Sequence, residues 1–298
     1  MTHKLFYIVY FTLCITLFSS CRKFVYDNPV DPSVKLPAPT NVTATLSADT
    51  SVTLKWSYVQ KYLYNLHFEI ERKIDNGNFV WIGNTAKSKT TFTHSDTFST
   101  TKTYYYRIRA AADKNRGGYS QKSFQLNFSP PTNLTITSFT DTQVGLQWSD
   151  NSNFETGFLL EQKEDNNAFL LIDSTPTNVT SKVVNRVFLT SHIYTFRVRA
   201  KSKNNISSYS DTITQTLSFP APTNLTITSF TDTQVGLQWS DNSNFEMGFE
   251  IEQSTDSVNF SVVSTVGTNV TTATNNGTYL VSNRYFFRVK AVTNNNTS

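Results

Sequence analysis

Two pairs of carboxylates stand at matching positions in this chain, Asp150 with Glu155 and Asp241 with Glu246, each beside an asparagine, Asn153 or Asn244. Paired carboxylates are the groups of glycosidic acid–base chemistry, and carboxylates mixed with amide oxygens are the donors of a calcium site. Both pairs fall in the stretch SDNSNFE, where Asp and Asn are the residues that cap turns while staying solvated. Turn capping is therefore the expected role. The histidines are His3, His67, His94 and His192, and no two have zinc-site spacing. The sequence has no G-x-S-x-G elbow, phosphate loop or H-E-x-x-H. We expect no catalytic residues, no metal and no other cofactor. The basic loop DKNRGG (Asp113–Gly118) lacks the stacking aromatics of a nucleic-acid surface and reads as a connection between strands. A net charge of +4 from 26 basic and 22 acidic residues indicates an ordinary solvated surface with no nucleic-acid partner.

Cysteine is the remaining reactive type, and only Cys14 and Cys21 are present. Lys4 precedes the apolar stretch LFYIVYFTLCITLF (Leu5–Phe18), which is short for a membrane span and laid out as a signal peptide. The following residues, Ser19, Ser20 and Cys21, complete LFSSC, which resembles the lipobox of bacterial lipoproteins. The resemblance implies cleavage of residues 1–20 and a mature chain starting at acylated Cys21, with the lipid bilayer as partner. It also implies a place in the cell envelope, at the outer membrane or cell surface. Phe18 stands where that family usually has an aliphatic residue, and an ordinary secretory signal or a retained helix are the alternatives. With Cys14 removed, Cys21 would be the only thiol, so no intrachain disulfide could form. Residues 21–35 read as a proline-punctuated tether.

The elements that carry these groups repeat. PTNLTITSFTDTQVGLQWSDNSNFE runs from Pro131 to Glu155 and recurs unchanged from Pro222 to Glu246, and Ala38–Ser57 is a diverged version of its start. Trp56, Trp148 and Trp239 share one position in the three copies. Each copy closes on a second signpost, YYYRIRA from Tyr104, YTFRVRA from Tyr194 and YFFRVKA from Tyr285. Repeats of about 90 residues are whole domains, because solenoid repeats usually run about 20–45 residues. Val52, Leu54 and Trp56 alternate with Thr53 and Lys55, and Phe68 and Ile70 alternate with Glu69 and Glu71. That period of two predicts strands with one buried and one wet face. About seven short strands bury their apolar faces by packing two sheets face to face.

The opening P-A-P-T-N, the tryptophan and the closing Tyr-x-aromatic-Arg-Val-x-Ala together resemble the fibronectin type III domain, from about Leu36 onward. The resemblance implies an all-β chain of tandem immunoglobulin-like sandwiches. They would occupy residues 36–127, 128–218 and 219–298, the third lacking its final strand G. It also implies core tryptophans at Trp56, Trp148 and Trp239. Tyr104, Tyr194 and Tyr285 would be corner tyrosines that donate their hydroxyls to nearby backbone. Proline-bearing junctions, LNFSPPTNL and LSFPAPTNL, should be stiff. For the open edge of the third sandwich the alternatives are a native chain that continues past Ser298, a strand added by another chain, or a third unit only partly folded, and the chain is expected to be monomeric unless that edge is paired. Sequons at Asn41, Asn133, Asn178, Asn224, Asn259 and Asn269 reflect Asn- and Thr-rich composition if the chain is a bacterial lipoprotein. The function expected is non-catalytic adhesion or the binding of an extracellular protein or polysaccharide. The alternative is a passive spacer tethering a C-terminal, possibly catalytic, domain.

Overall fold

The computed structural model describes residues 28–63 and 66–298. The leader and Cys21 lie outside the described residues. The described chain is all-β apart from one short helix, α1 (Gln60–Leu63), and it divides into two compact units. One comprises residues 28–96 with 101–125, and the other residues 97–100 with 126–298.

The first sandwich sets β1 (Thr40–Ala48), β2 (Ser51–Ser57) and β5 (Thr91–Ser95) in one sheet, ordered β1-β2-β5. Its second sheet contains β3 (His67–Ile74), β4 (Val80–Asn84), β6 (Thr103–Ala112) and β7 (Asn115–Arg116) in the order β4-β3-β6-β7. A further strand, β8 (Ser120–Gln125), pairs with β6. All pairings are antiparallel.

The larger unit contains two more sandwiches. In the second, β9 (Thr132–Phe139), β10 (Gln143–Ser149) and β13 (Ser181–Asn185) form the sheet β13-β10-β9. The facing sheet, β12-β11-β14-β15, is built from β11 (Gly157–Glu164), β12 (Leu170–Pro176), β14 (Ile193–Lys201) and β15 (Ile213–Thr216). In the third, β16 (Thr223–Phe230), β17 (Gln234–Ser240) and β20 (Thr272–Asn276) form β16-β17-β20. Its facing sheet holds β18 (Gly248–Ser254), β19 (Ser261–Gly267) and β21 (Phe286–Val292) in the order β19-β18-β21. No strand of the described residues lies on the outer side of β21, where β15 covers β14 in the second sandwich.

Several of the repeated letters have a local cause. Asn41, Asn133 and Asn224 adopt left-handed backbone with φ of 52°, 53° and 55°, a conformation asparagine tolerates and β-branched residues resist. Their amides donate to the hydroxyls of Ser57 (3.4 Å), Ser149 (3.1 Å) and Ser240 (3.1 Å), the residues directly after the tryptophans. The kink coincides with a register shift between the first two strands of each sandwich, so the P-T-N and W-S signatures are two ends of one bulge.

Trp56, Trp148 and Trp239 are buried. Each meets, edge to face, a phenylalanine of the opposite sheet. The pairs are Trp56–Phe68 at 5.1 Å between centroids, Trp148–Phe158 at 5.5 Å and Trp239–Phe249 at 5.6 Å. Around Trp148 the core gathers Val144, Leu146, Leu160, Phe188, Phe196 and Val198.

The expectation that the second face of strands β3, β11 and β18 is wet fails. Glu69, Glu161 and Glu252 are only 8%, 6% and 6% exposed, because arginines and aromatic rings cover them. Truncating Trp148 to alanine should destabilise the second sandwich by about 3–5 kcal/mol, the range for large aromatic deletions in a core. Urea unfolding followed by a probe in that sandwich checks this, and unchanged stability would remove Trp148 from the core.

Candidate binding surfaces

The carboxylates flagged by the sequence do cap turns, but not as solvated groups. Glu155 and Glu246 are buried, and each accepts a backbone N–H through Oε1, from Asn178 (3.2 Å) and Asn269 (3.1 Å). Asp150 and Asp241 accept from the N–H groups of Ser152 and Ser243. Burial raises the Asp150 carboxyl above its ordinary value, and the neighbouring Glu155 adds to the effect. These side chains close the loop between β10 and β11 onto the turn before β13, which is positional work within the sandwich.

The histidines are placed apart. His94, on β5, lies 2.8 Å from the Tyr106 hydroxyl, and burial lowers its pKa, with Arg72 adding to the effect. His192 lies 2.6 Å from Asp165 and 3.2 Å from Glu164, and the Asp165 hydrogen bond raises its pKa. Glu164, Asp165 and His192 bring ligand-type atoms within 4.8 Å of one another. Asp165 also accepts the Ile193 N–H (2.9 Å), so the cluster ties the β11–β12 turn to the start of β14.

Two of the three corner tyrosines, Tyr194 and Tyr285, accept from the backbone where donation was expected. The Tyr194 hydroxyl accepts the Leu189 N–H at 2.9 Å, and that of Tyr285 accepts the Leu280 N–H at 3.0 Å.

Sequence reasoning missed two arrangements that depend on neighbours distant in the chain. The first is a ladder on the outer face of the larger sheets. Arg197 lies between the Phe169 ring (3.7 Å) and the Tyr209 ring (3.5 Å) while binding Glu161 at 2.6 Å. Arg199 joins Glu161 at 3.0 Å, and the Tyr209 hydroxyl donates to the same carboxylate at 2.9 Å. Burial alone would raise the Glu161 carboxyl, yet Arg197, Tyr209 and Arg199 outweigh it and hold it below its ordinary value. Arg107 repeats the scheme between Phe79 (4.1 Å) and Tyr119 (4.2 Å), over Glu71.

The second is an asparagine clasp. Asn115, Asn205 and Asn296 occupy equivalent turns after the closing signpost, and all three are buried. Asn296 Nδ2 donates to the Phe188 carbonyl (2.9 Å) while its Oδ1 accepts the Thr190 N–H (3.0 Å). Asn205 makes the same two bonds, to the Phe98 carbonyl (2.8 Å) and from the Thr100 N–H (3.0 Å). Asn115 instead donates to the carbonyls of Pro29 (2.9 Å), Asp31 (3.0 Å) and Val34 (2.8 Å). The DKNR turn is thus an anchor for the preceding segment.

Within the larger unit, Asn296 joins the third sandwich to the second, with Asn295 reaching Asp141 at 3.4 Å. Beside this joint lies an open cleft of about 450 Å³, lined by Ser138, Phe139, Thr140, Asn242, Asn244 and Phe245 among others. It offers hydroxyls and amides beside two aromatic rings. Asn242 is engaged with the Ala221 carbonyl and the Thr223 hydroxyl.

Residues 129–216 match the family model of the fibronectin type III domain. Among solved structures, a two-domain fibronectin type III segment of chicken tenascin is similar at 9% identity and a TM-score of 0.34. The match covers 60% of this chain and 99% of that one. The FN1–FN3 domains of chicken CNTN1 are similar at 14% identity and a TM-score of 0.31, covering 86% and 93% of the two chains. No curated protein matches the chain. Residues 129–216 are thus a fibronectin type III-like sandwich, and the described chain is a tandem of antiparallel β-sandwiches.

Two measurements probe these assignments. By NMR, His192 should titrate above 6.5 and His94 below it, and Asp165→Asn should bring His192 down. The raised His192 pKa contributes stability that is present below its unfolded value and lost as pH rises through its folded value. The lowered His94 pKa acts oppositely, removing stability as pH falls through its folded value. Separately, Asn296→Ala should leave the buried Phe188 carbonyl unpaired at a cost of about 1–3 kcal/mol and speed hydrogen exchange at Thr190. Unchanged exchange there would show that the clasp does not hold the joint.

Proposed function

We propose that this chain is a non-catalytic binding protein whose sandwiches present an extracellular protein or polysaccharide with loop and junction surfaces. The cleft beside the Asn296 joint carries this reading. Its mixture of amides, hydroxyls and ring faces suits a ligand with apolar faces and many hydroxyl or amide groups, such as a sugar chain or a short polar peptide. Fibronectin type III-like sandwiches supply loops at their ends for such contacts. In this reading Cys21 carries the acyl chains that hold the protein on a bacterial envelope, where more than one chain gives stable anchoring.

The passive-spacer reading has its own support in the clasp. Buried hydrogen bonds between the second and third sandwiches favour a fixed joint over a freely jointed one, which suits a spacer carrying another domain.

The binding reading is tested by probing a glycan array and an extracellular-matrix protein panel with the intact chain. Saturable binding that falls at least about tenfold in Asn244→Ala, with the fold retained, is the expected result. An empty array and panel would leave the spacer. Detergent-phase partitioning of the native protein, lost in Cys21→Ala, tests the anchor.

A further inference from the structure

The corner where β11 ends and β14 begins brings together three metal-ligating side chains. Glu164 and Asp165 are adjacent, but 27 residues separate Asp165 from His192, so no zinc-type spacing marks the three in the sequence. Pairing of β11 with β14 sets Glu164 opposite Tyr194 and draws the His192 ring up to both carboxylates. Its Nδ1 lies 2.6 Å from Asp165 Oδ2 and 3.2 Å from Glu164 Oε1, and one ligand atom from each residue falls within 4.8 Å of the others. Asp165 is held from outside the cluster. Its Oδ1 accepts the Ile193 N–H (2.9 Å) and its own N–H donates to the Ile193 carbonyl (2.7 Å), so its second oxygen is aimed in advance.

The first sandwich shows what this corner needs in order to fold. Asp75 is the equivalent of Asp165, with the same left-handed backbone (φ 50° against 52°) and the same two bonds, here with Thr103. Lys102 takes the place of His192, its Nζ 3.1 Å from Asp75 Oδ2, and Ile74 takes the place of Glu164. A cation is thus seated against the same carboxylate oxygen that faces His192 in the second sandwich. One carboxylate there meets one fixed positive charge. The second sandwich sets two carboxylates against one imidazole, so negative charge is left over whether or not the ring is protonated. In the third, Asp256 accepts the N–H groups of Val258 and Asn259 instead, and Asn283 stands at the histidine position. Closing the turn therefore requires neither His192 nor Glu164.

We propose that Glu164, Asp165 and His192 bind a zinc-class divalent ion, with His192 Nδ1 and one oxygen of each carboxylate as its protein ligands. Imidazole together with carboxylate suits zinc and its first-row neighbours, whereas calcium takes oxygen alone. Zinc at about 2.0–2.2 Å from nitrogen and oxygen, in tetrahedral geometry, sets its ligands about 3.4 Å apart. The Nδ1–Oε1 distance is near that value already, and a turn of the partly exposed imidazole brings the Nδ1–Oδ2 distance to it. On binding, the Nδ1 proton passes to water and a nitrogen–metal bond takes its place. The side chains are partly exposed, so water completes the coordination. The ion supplies the positive charge that Lys102 supplies in the first sandwich, and it pins the β11–β12 turn to β14. None of the three residues lines the junction cleft, so the site does not depend on ligand binding there.

The test measures zinc binding to the untagged full chain by equilibrium dialysis and compares it with His192→Lys, which recreates the Asp75–Lys102 pair and so keeps the turn. The parent should bind one zinc more per chain than this variant. In NMR, zinc should shift the His192 ring signals while calcium leaves them in place. Glu164→Gln exchanges one carboxylate donor for an amide at a partly exposed position. It should weaken zinc binding at that site at least about tenfold and leave thermal stability without metal unchanged. Equal zinc counts in the parent and His192→Lys, or an affinity indifferent to Glu164→Gln, would overturn the site. A calcium response matching that of zinc would overturn the class of ion.

Discussion

Each sandwich depends on one contact across its interior, the edge of a tryptophan against the face of a phenylalanine from the opposite sheet. Two twisted sheets have no covalent tie here, since among the described residues there is no cysteine to bridge them. The tryptophan is large enough to reach across the gap between sheets that pack roughly 10 Å apart. The choice has a cost, because Nε1 of Trp56, Trp148 and Trp239 is buried without a hydrogen-bond partner. Leaving such a donor unpaired costs about 1–3 kcal/mol, and the three sandwiches all accept it. Burial of the ring against Phe68, Phe158 or Phe249 outweighs the cost, as aromatic deletions from cores cost about 3–5 kcal/mol.

With the interior closed in this way, the outer faces carry the electrostatics. On β11 and β14, Glu161 and its arginines turn a solvent-facing surface into a second, thinner layer capped by Phe169 and Tyr209. Stacked guanidinium groups keep their charge while shedding water from one or both faces. The tyrosine comes from the segment just before the last strand, Tyr119 ahead of β8 and Tyr209 ahead of β15. In the third sandwich the same layer is formed by Glu252 with Arg288 and Lys290, and Arg288 rests on Phe260.

The asparagine turns connect this architecture along the chain. A side-chain amide matches one carbonyl and one N–H of a corner at once, so a single residue both satisfies buried backbone and fixes a register. Asn296 does this between the second and third sandwiches, whereas Asn115 holds the segment at Pro29–Val34 by donation from Nδ2 alone.

Much of the fold was legible in the letters. Alternation at Val144, Leu146 and Trp148 marked strands, the 25-residue duplication marked repeated domains, and the paired signposts marked which strands enclose the core. These are local signals, because a period of two and a turn-forming asparagine act on their own backbone. The burial of Glu161, the stacking of Arg197, the acceptor role of the Tyr194 hydroxyl and the reach of Asn296 were not legible. Each depends on a partner brought close only when strands far apart in sequence pair, and alternation cannot tell a glutamate facing water from one facing an arginine on the next strand. The sequence by itself determined the sandwich and its repetition. The tertiary structure decided which polar side chains became buried ties, because those outcomes depend on the neighbour across the sheet.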